Sequence, residues 1–214
     1  MRLTEAHAEL LAMNQPVFTT GDASVCLGIE RGHASKVLAR LSDVGHVVPL
    51  AHGLWSLREK VQLFALPQHL TAPFPSYVSL QSALYYHGMI SQIPSVTYAV
   101  SLARTRRFDT PLGTVSIHHV DPSFFFGFES AGGQGAKMAV PEKALLDIFY
   151  LSPAKTRLFR VLPELELPKS FSIAEVRRMV RRVQSPQRRT LVGHLLEEML
   201  TIIEEDVPNP YDDS

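Results

Sequence analysis

His33, Lys36 and Arg40 recur at i, i+3 and i+7 in the segment RGHASKVLARLSD, with Arg31 and Ser35 flanking them toward its N-terminal end. On a helix this spacing gathers them on one polar face, away from a stripe made by Ala34, Val37, Leu38 and Leu41. Arg and Lys are the side chains that read guanine or hold phosphates, and Ser and His are adaptable hydrogen-bonders. A solvated helix face uses the same residue types, so the surrounding elements must decide between the two. His52 and Arg58, further along, add candidate phosphate or minor-groove contacts.

Those elements read as a winged helix-turn-helix. Thr19, with Asp22 three positions on, forms a variant of the capping box for a short helix whose apolar side is Ala23, Cys26 and Leu27. Gly28 breaks that helix and Ile29 plugs the turn from beneath. Gly45 ends the second helix. HVVPL and LWSL around Ala51-His52-Gly53 then form a modest hairpin, the wing. A helix over roughly 4–14 completes the core. The order helix, turn, helix, wing presents one exposed helix to a DNA major groove, although the same fold also serves as a protein-docking unit.

Charge supports a local binding face. Lys plus Arg and Asp plus Glu both total 21, so formal net charge is zero. Residues 1–63 carry six bases and six acids, and 64–152 five of each, whereas 153–190 carry ten bases against three acids and the rest carries seven acids and no base. Phosphate attraction is set by such local asymmetry, so a neutral total does not exclude DNA. Arg177, Arg178, Arg181, Arg182, Arg188 and Arg189 form a candidate second basic face, opposite Ile173, Val176, Met179, Val180 and Val183. The single cysteine, Cys26, excludes an internal disulfide and a cysteine-rich zinc site. No run of eighteen apolar residues exists and the first residues lack a signal-peptide core, so a cytoplasmic protein without membrane contact is expected.

The spacing divides the chain into a DNA-binding domain over 1–62, a proline-punctuated linker over 63–75, a mixed α/β domain over 76–206 and a tail over 207–214. The fold class is α+β: an N-terminal winged helix-turn-helix, then a mixed α/β C-terminal domain ending in helices. Within that domain SYVSLQSALYYHGMI reads as one helix capped by Ser76, with Leu80, Ala83, Leu84 and His87 inward. VTYAVSL, TVSIHHV and FFFGF read as strands, SAGGQGA as a loop, and MAVPEKALLDIFYL as a strand end leading into a helix with Pro141 in its first turn.

Catalytic chemistry is not expected. His118 and His119 alternate across a strand and cannot share one metal ion, and no HExxH spacing occurs. SAGGQGA lacks the Lys-Ser/Thr ending of a phosphate-binding loop. Asp109, Asp121 and Glu129 are scattered acids that could mimic a nuclease or nucleotidyltransferase metal pair but lack close pairing. Phe124-Phe125-Phe126 reads as a buried strand ahead of a stacking platform for single strands. No cofactor is expected.

Three blocks, LARLSDVGHVVPLAHGLWSL, SYVSLQSALYYHGMI and VPEKALLDIFYL, resemble the AbiEi-type antitoxin family over about residues 5–152. These are the antitoxins of bacterial type IV toxin–antitoxin pairs. The resemblance implies a winged helix that binds double-stranded operator DNA and represses its own operon, and a C-terminal domain that counteracts a nucleotidyltransferase-like toxin without catalytic residues of its own. It places the DNA-reading helix at Arg31–Asp43 and the wing at His46–Leu57. The wing tip here is Ala51-His52-Gly53, where an arginine before the glycine is more usual. The alternative reading is a stand-alone regulator whose C-terminal domain senses a ligand or oligomerises.

Overall fold

The computed structural model describes residues 2–57, 61–152 and 165–205. Helix α1 (Leu3–Ala12), strand β1 (Val17–Thr19), helices α2 (Thr20–Cys26) and α3 (Arg31–Asp43), and the hairpin β2 (Val47–Ala51) and β3 (Leu54–Leu57) build the winged helix-turn-helix. The capping box is present: Oγ1 of Thr19 accepts the Asp22 N–H at 3.1 Å, and the Asp22 carboxylate accepts the Thr19 N–H at 2.7 Å. Ser24 Oγ donates to the Ile29 carbonyl at 2.6 Å, closing the turn over the packed Ile29 side chain. Ala34, Val37, Leu38 and Leu41 form the buried stripe of α3. Val37, Leu38 and Leu41 pack with Leu10 of α1, Phe18 of β1 and Leu57 of β3 into one core.

The second half is a six-stranded mixed sheet. Its strands are β4 (Ser76–Val78), β5 (Val96–Ser101), β6 (Arg106–Thr110), β7 (Gly113–His119), β8 (Phe128–Ser130) and β9 (Lys137–Ala139), in the order β6-β7-β5-β4-β9-β8. β5–β7 and β4–β9 are parallel pairs and the rest antiparallel. Helices α5 (Leu80–Tyr86), α6 (Pro141–Leu151), α7 (Ile173–Arg181) and α8 (Pro186–Glu205) cover one face, and α4 (Leu66–Thr71) lies on the other. Adjacent residues of β5 mark the two faces: Val100 joins the core with α5 to α8, and Ala99 joins Leu66 and the wing.

The wing sheet is therefore buried on both sides. Phe18, Val47 and Leu57 face the helices of the N-terminal half, while Val17, Val48 and Leu50 pack with Ala99, Val115 and Ile117 of the large sheet. That double burial explains why HVVPL and LWSL read as continuous apolar runs rather than alternating ones.

Three expectations are corrected, and one strand had no expectation. Residues 63–75 are not an extended linker: residues 63–65 form a 3-10 turn, followed by α4 with Leu66 fully buried. Residues 76–90 are not one helix. Ser76 starts β4 opposite Ser101, and the chain turns into α5 at its first residue, Leu80, whose φ of +55° is rare for a leucine. Phe124 to Phe126 form no strand; residues 122–124 make a 3-10 turn, and Phe124 and Phe126 are buried. β6, RRFDT, was not read as a strand because an exposed edge strand shows little apolar alternation. Arg58 and the tail 207–214 lie outside the described residues.

Every residue of α6 from Glu142 to Leu151 is buried, so its polar residues need internal partners. Lys143 Nζ and Asp147 Oδ1 pair one turn apart. Ser79 Oγ donates to Asp147 Oδ2 at 2.6 Å and the Tyr77 hydroxyl donates to it at 3.1 Å. The ammonium also sits 3.5 Å from the centre of the Phe124 ring, with Phe126 at 4.9 Å. Burial pulls the Lys143 ammonium down to about 8 although Asp147 opposes it, and burial pushes the Asp147 carboxyl up against its three donors. The cluster thus ties α6 to β4 and to the start of α5. Asp147→Leu, which strands the ammonium, is expected to lower unfolding free energy by about 3–5 kcal/mol. Adding Lys143→Met is expected to recover most of that loss in a urea titration. A double variant no more stable than the single one would refute the pairing as the cause.

Candidate nucleic-acid interface

α3 shows the solvent the side chains that the sequence singled out. Arg31, His33, Ser35, Lys36 and Arg40 are all exposed along it. Asp43, exposed as well, lies seven residues beyond Lys36 and so on the same stripe, two turns on. It therefore limits the cationic face to the first three turns, rather than lying off that face. Glu30 occupies the N-cap without a side-chain cap bond.

The wing divides these residues. An open groove of about 550 Å³ is lined by Thr20, by Arg31, Gly32 and Ser35 of α3, and by Pro49, Ala51, His52, Gly53 and Trp55 of the wing. Arg31, Ser35 and His52 therefore share one groove, whereas His33, Lys36 and Arg40 are not among its lining. The two-residue turn His52-Gly53 exposes the imidazole, with Gly53 at φ +69° where a side chain would be strained. Thr20 and Trp55 carried no signal as site residues in the sequence, because a threonine at a helix start and a tryptophan in a strand are ordinary there.

The remaining candidates do not assemble. Asp109 accepts hydrogen bonds from Arg107 at 3.1 Å and Thr114 at 2.8 Å, which hold its carboxyl below the usual range. Asp121 accepts from Ser123, and Glu129 sits on β8, at the sheet edge opposite β6. His118 is held down to about 4 by burial and lies 3.0 Å from Ser116 Oγ, while His119 faces Ala103 and Thr105. His87 is hydrogen-bonded to the Ala139 carbonyl at 2.7 Å. Among the described residues no group of three or more His, Cys, Asp or Glu could hold a metal ion. The Lys143–Asp147–Ser79 cluster has the residue types of a nucleophile with its base, but all three side chains are sealed from solvent.

The arginine-rich helices are only partly a free basic face. Arg177 forks onto Glu197 with bonds of 2.9 and 2.6 Å, and Arg178 pairs with Glu175. Arg182 stacks 3.5 Å from the Phe126 ring centre, Arg188 lies 4.6 Å from that of Tyr150, and Arg189 reaches the Val183 carbonyl. Arg181 stays exposed. Of the expected apolar side, Val176, Met179, Val180 and Val183 are buried, but Ile173 is exposed.

Residues 6–58 match a family model described as "Transcriptional regulator, AbiEi antitoxin". The resemblance stated from the sequence therefore holds over the winged helix, and the match takes in α2, α3 and the wing. The other two blocks of that resemblance lie beyond the matched span. No curated protein matches the chain. No helix among the described residues is long and apolar enough to cross a membrane.

α7 and α8 lie outside the match and on the face of the large sheet turned away from the wing. A duplex lying along α3 is thus separated from them by the sheet. The triple variant Arg181→Ala, Arg182→Ala and Arg189→Ala is expected to leave affinity for the duplex upstream of its own reading frame, and the salt dependence of that affinity, unchanged. A flattened salt dependence in a gel-shift titration would contradict the layered placement.

Proposed function

We propose that this chain is a DNA-binding antitoxin that represses its own operon and counteracts a nucleotidyltransferase-like toxin, directly or by opposing its effect, without catalysis of its own. The observation that carries this reading is a coincidence of two spans. The segment matched to AbiEi antitoxin regulators is the one whose fold exposes a cationic helix beside a wing. In this reading Arg31 and His33 meet the duplex near the start of α3, where recognition helices reach base edges. Lys36 and Arg40 hold phosphate or guanine from the middle of the helix, Ser35 supplies a hydrogen bond, and His52 approaches the backbone from the wing tip. Arg58 follows the wing. The α/β half supplies the antitoxin activity.

A gel-shift titration against the duplex upstream of its reading frame tests the first part. Lys36→Ala with Arg40→Ala is expected to abolish the specific complex, while the thermal unfolding midpoint stays within a few degrees because both side chains are exposed. Unchanged affinity would sink the assignment of α3. The second part is tested in cells expressing an adjacent nucleotidyltransferase-like reading frame: the intact chain and the Lys36/Arg40 variant should both restore growth. Failure of the intact chain to rescue would remove the antitoxin role.

A further inference from the structure

The wing tip has an anchor that the strand ladder does not provide. β1 ends where Thr19 pairs with Leu54, so no ladder residue of β1 reaches the turn itself. On the other side, β2 shifts register between Pro49 and Ala51, a bulge that interrupts the pairing just before the tip. Thr20 takes over at that point. Its backbone N–H donates to the Gly53 carbonyl at 2.9 Å, and its Oγ1 accepts the indole Nε1–H of Trp55 at 3.0 Å. The same hydroxyl lies 3.4 Å from the Gly53 carbonyl. Thr20 is also the first residue of α2, and α2 packs directly on α3. One buried threonine thus joins the wing turn to the helix pair that carries Arg31 and Ser35.

We propose that Thr20 and Trp55 are positioning residues of the DNA interface: their hydrogen bond fixes the wing turn of His52 and Gly53 at a set distance across the groove from Arg31 and Ser35. This rests on the reading of α3 as the DNA-binding helix. A duplex is stiff on the scale of one groove, so two protein arms that grip it must already stand at the matching separation. A wing freed from Thr20 has to be ordered in the complex, so binding weakens and the wing engages the duplex only part of the time, although no side chain that touches DNA has changed.

The test uses the full chain and the duplex upstream of its own reading frame. Trp55→Phe keeps the ring and drops the donor; Thr20→Val keeps the shape and drops the hydroxyl; Thr20→Ser restores a hydroxyl. Trp55→Phe, which loses one hydrogen bond, should weaken binding about 3–10-fold, and Thr20→Val, which also loses the longer bond to the Gly53 carbonyl, at least as much. The double variant should be no worse than Thr20→Val alone, because that change already removes the bond to Trp55. Thr20→Ser should bind within about twofold of the parent, by the same count of bonds. Hydroxyl-radical footprints should lose protection on the wing side and keep it along α3. Parent-like affinity and footprint in both single variants, while the Lys36/Arg40 variant fails to bind, would overturn the clamp. So would an even loss of protection along both arms, the mark of general destabilisation. Binding that survives the Lys36/Arg40 change instead removes the reading of α3 on which the clamp depends.

Discussion

The burial of one small sheet on both of its faces governs the rest of this structure. The β2–β3 hairpin by itself would be marginal in water, and a sheet this small needs an apolar face packed against other elements. Here Phe18, Val47 and Leu57 fill the space under the helices, and Val17, Val48 and Leu50 fill the space against the large sheet. The wing is thus held from behind by the α/β half while its tip projects past it. The helix that shows its charges to solvent and the domain that carries the arginine-rich helices are fixed in relative position by apolar contact, not tethered by a loop.

That arrangement separates two basic surfaces that composition alone would merge. A half with six bases and six acids can still hold a cationic helix face, because Glu5, Glu9 and Asp22 lie on other elements and Glu30 and Asp43 at the ends of α3. The arginines of α7 and α8 are mostly engaged with Glu197, Glu175, Phe126 and Tyr150 on the far side of the large sheet. They contribute to packing of the last helices more than to an extended binding face.

The N-terminal half was legible because each of its signals is local. A capping box four residues long, a stripe repeating every three or four residues, and glycines at turn positions can all be read without knowing what lies across the core. The exposed side of α3 followed from the buried side. What failed was non-local. Ser76 looks like a helix cap until its pairing with Ser101 makes it a strand residue, and FFFGF looks like a strand until the Lys143 ammonium claims two of its rings. Residues 63–75 look like a linker because prolines punctuate them, yet Pro67 lies at the start of α4, where a missing N–H costs nothing. The clamp of Thr20 on Trp55 joins residues 35 apart, and no periodicity reports such a contact. One signal is local: Lys143 and Asp147 stand at i, i+4, and apart from Asp147 the helix is almost wholly apolar from Ala144 to Leu151, which is the pattern of a buried pair.

Gly127 carries a consequence out of proportion to its size. At φ +74° it passes so close to Lys143 that a Cβ there would stand 3.0 Å from the lysine stem. The contact is with methylenes of a side chain sealed in place by Asp147 and the rings around it, so nothing nearby can yield. Tolerance to change at this position is therefore set by its neighbour as well as by its own left-handed backbone. In a survey of all single replacements, a residue with no side chain would rank with the aromatic core among the least forgiving sites of the chain.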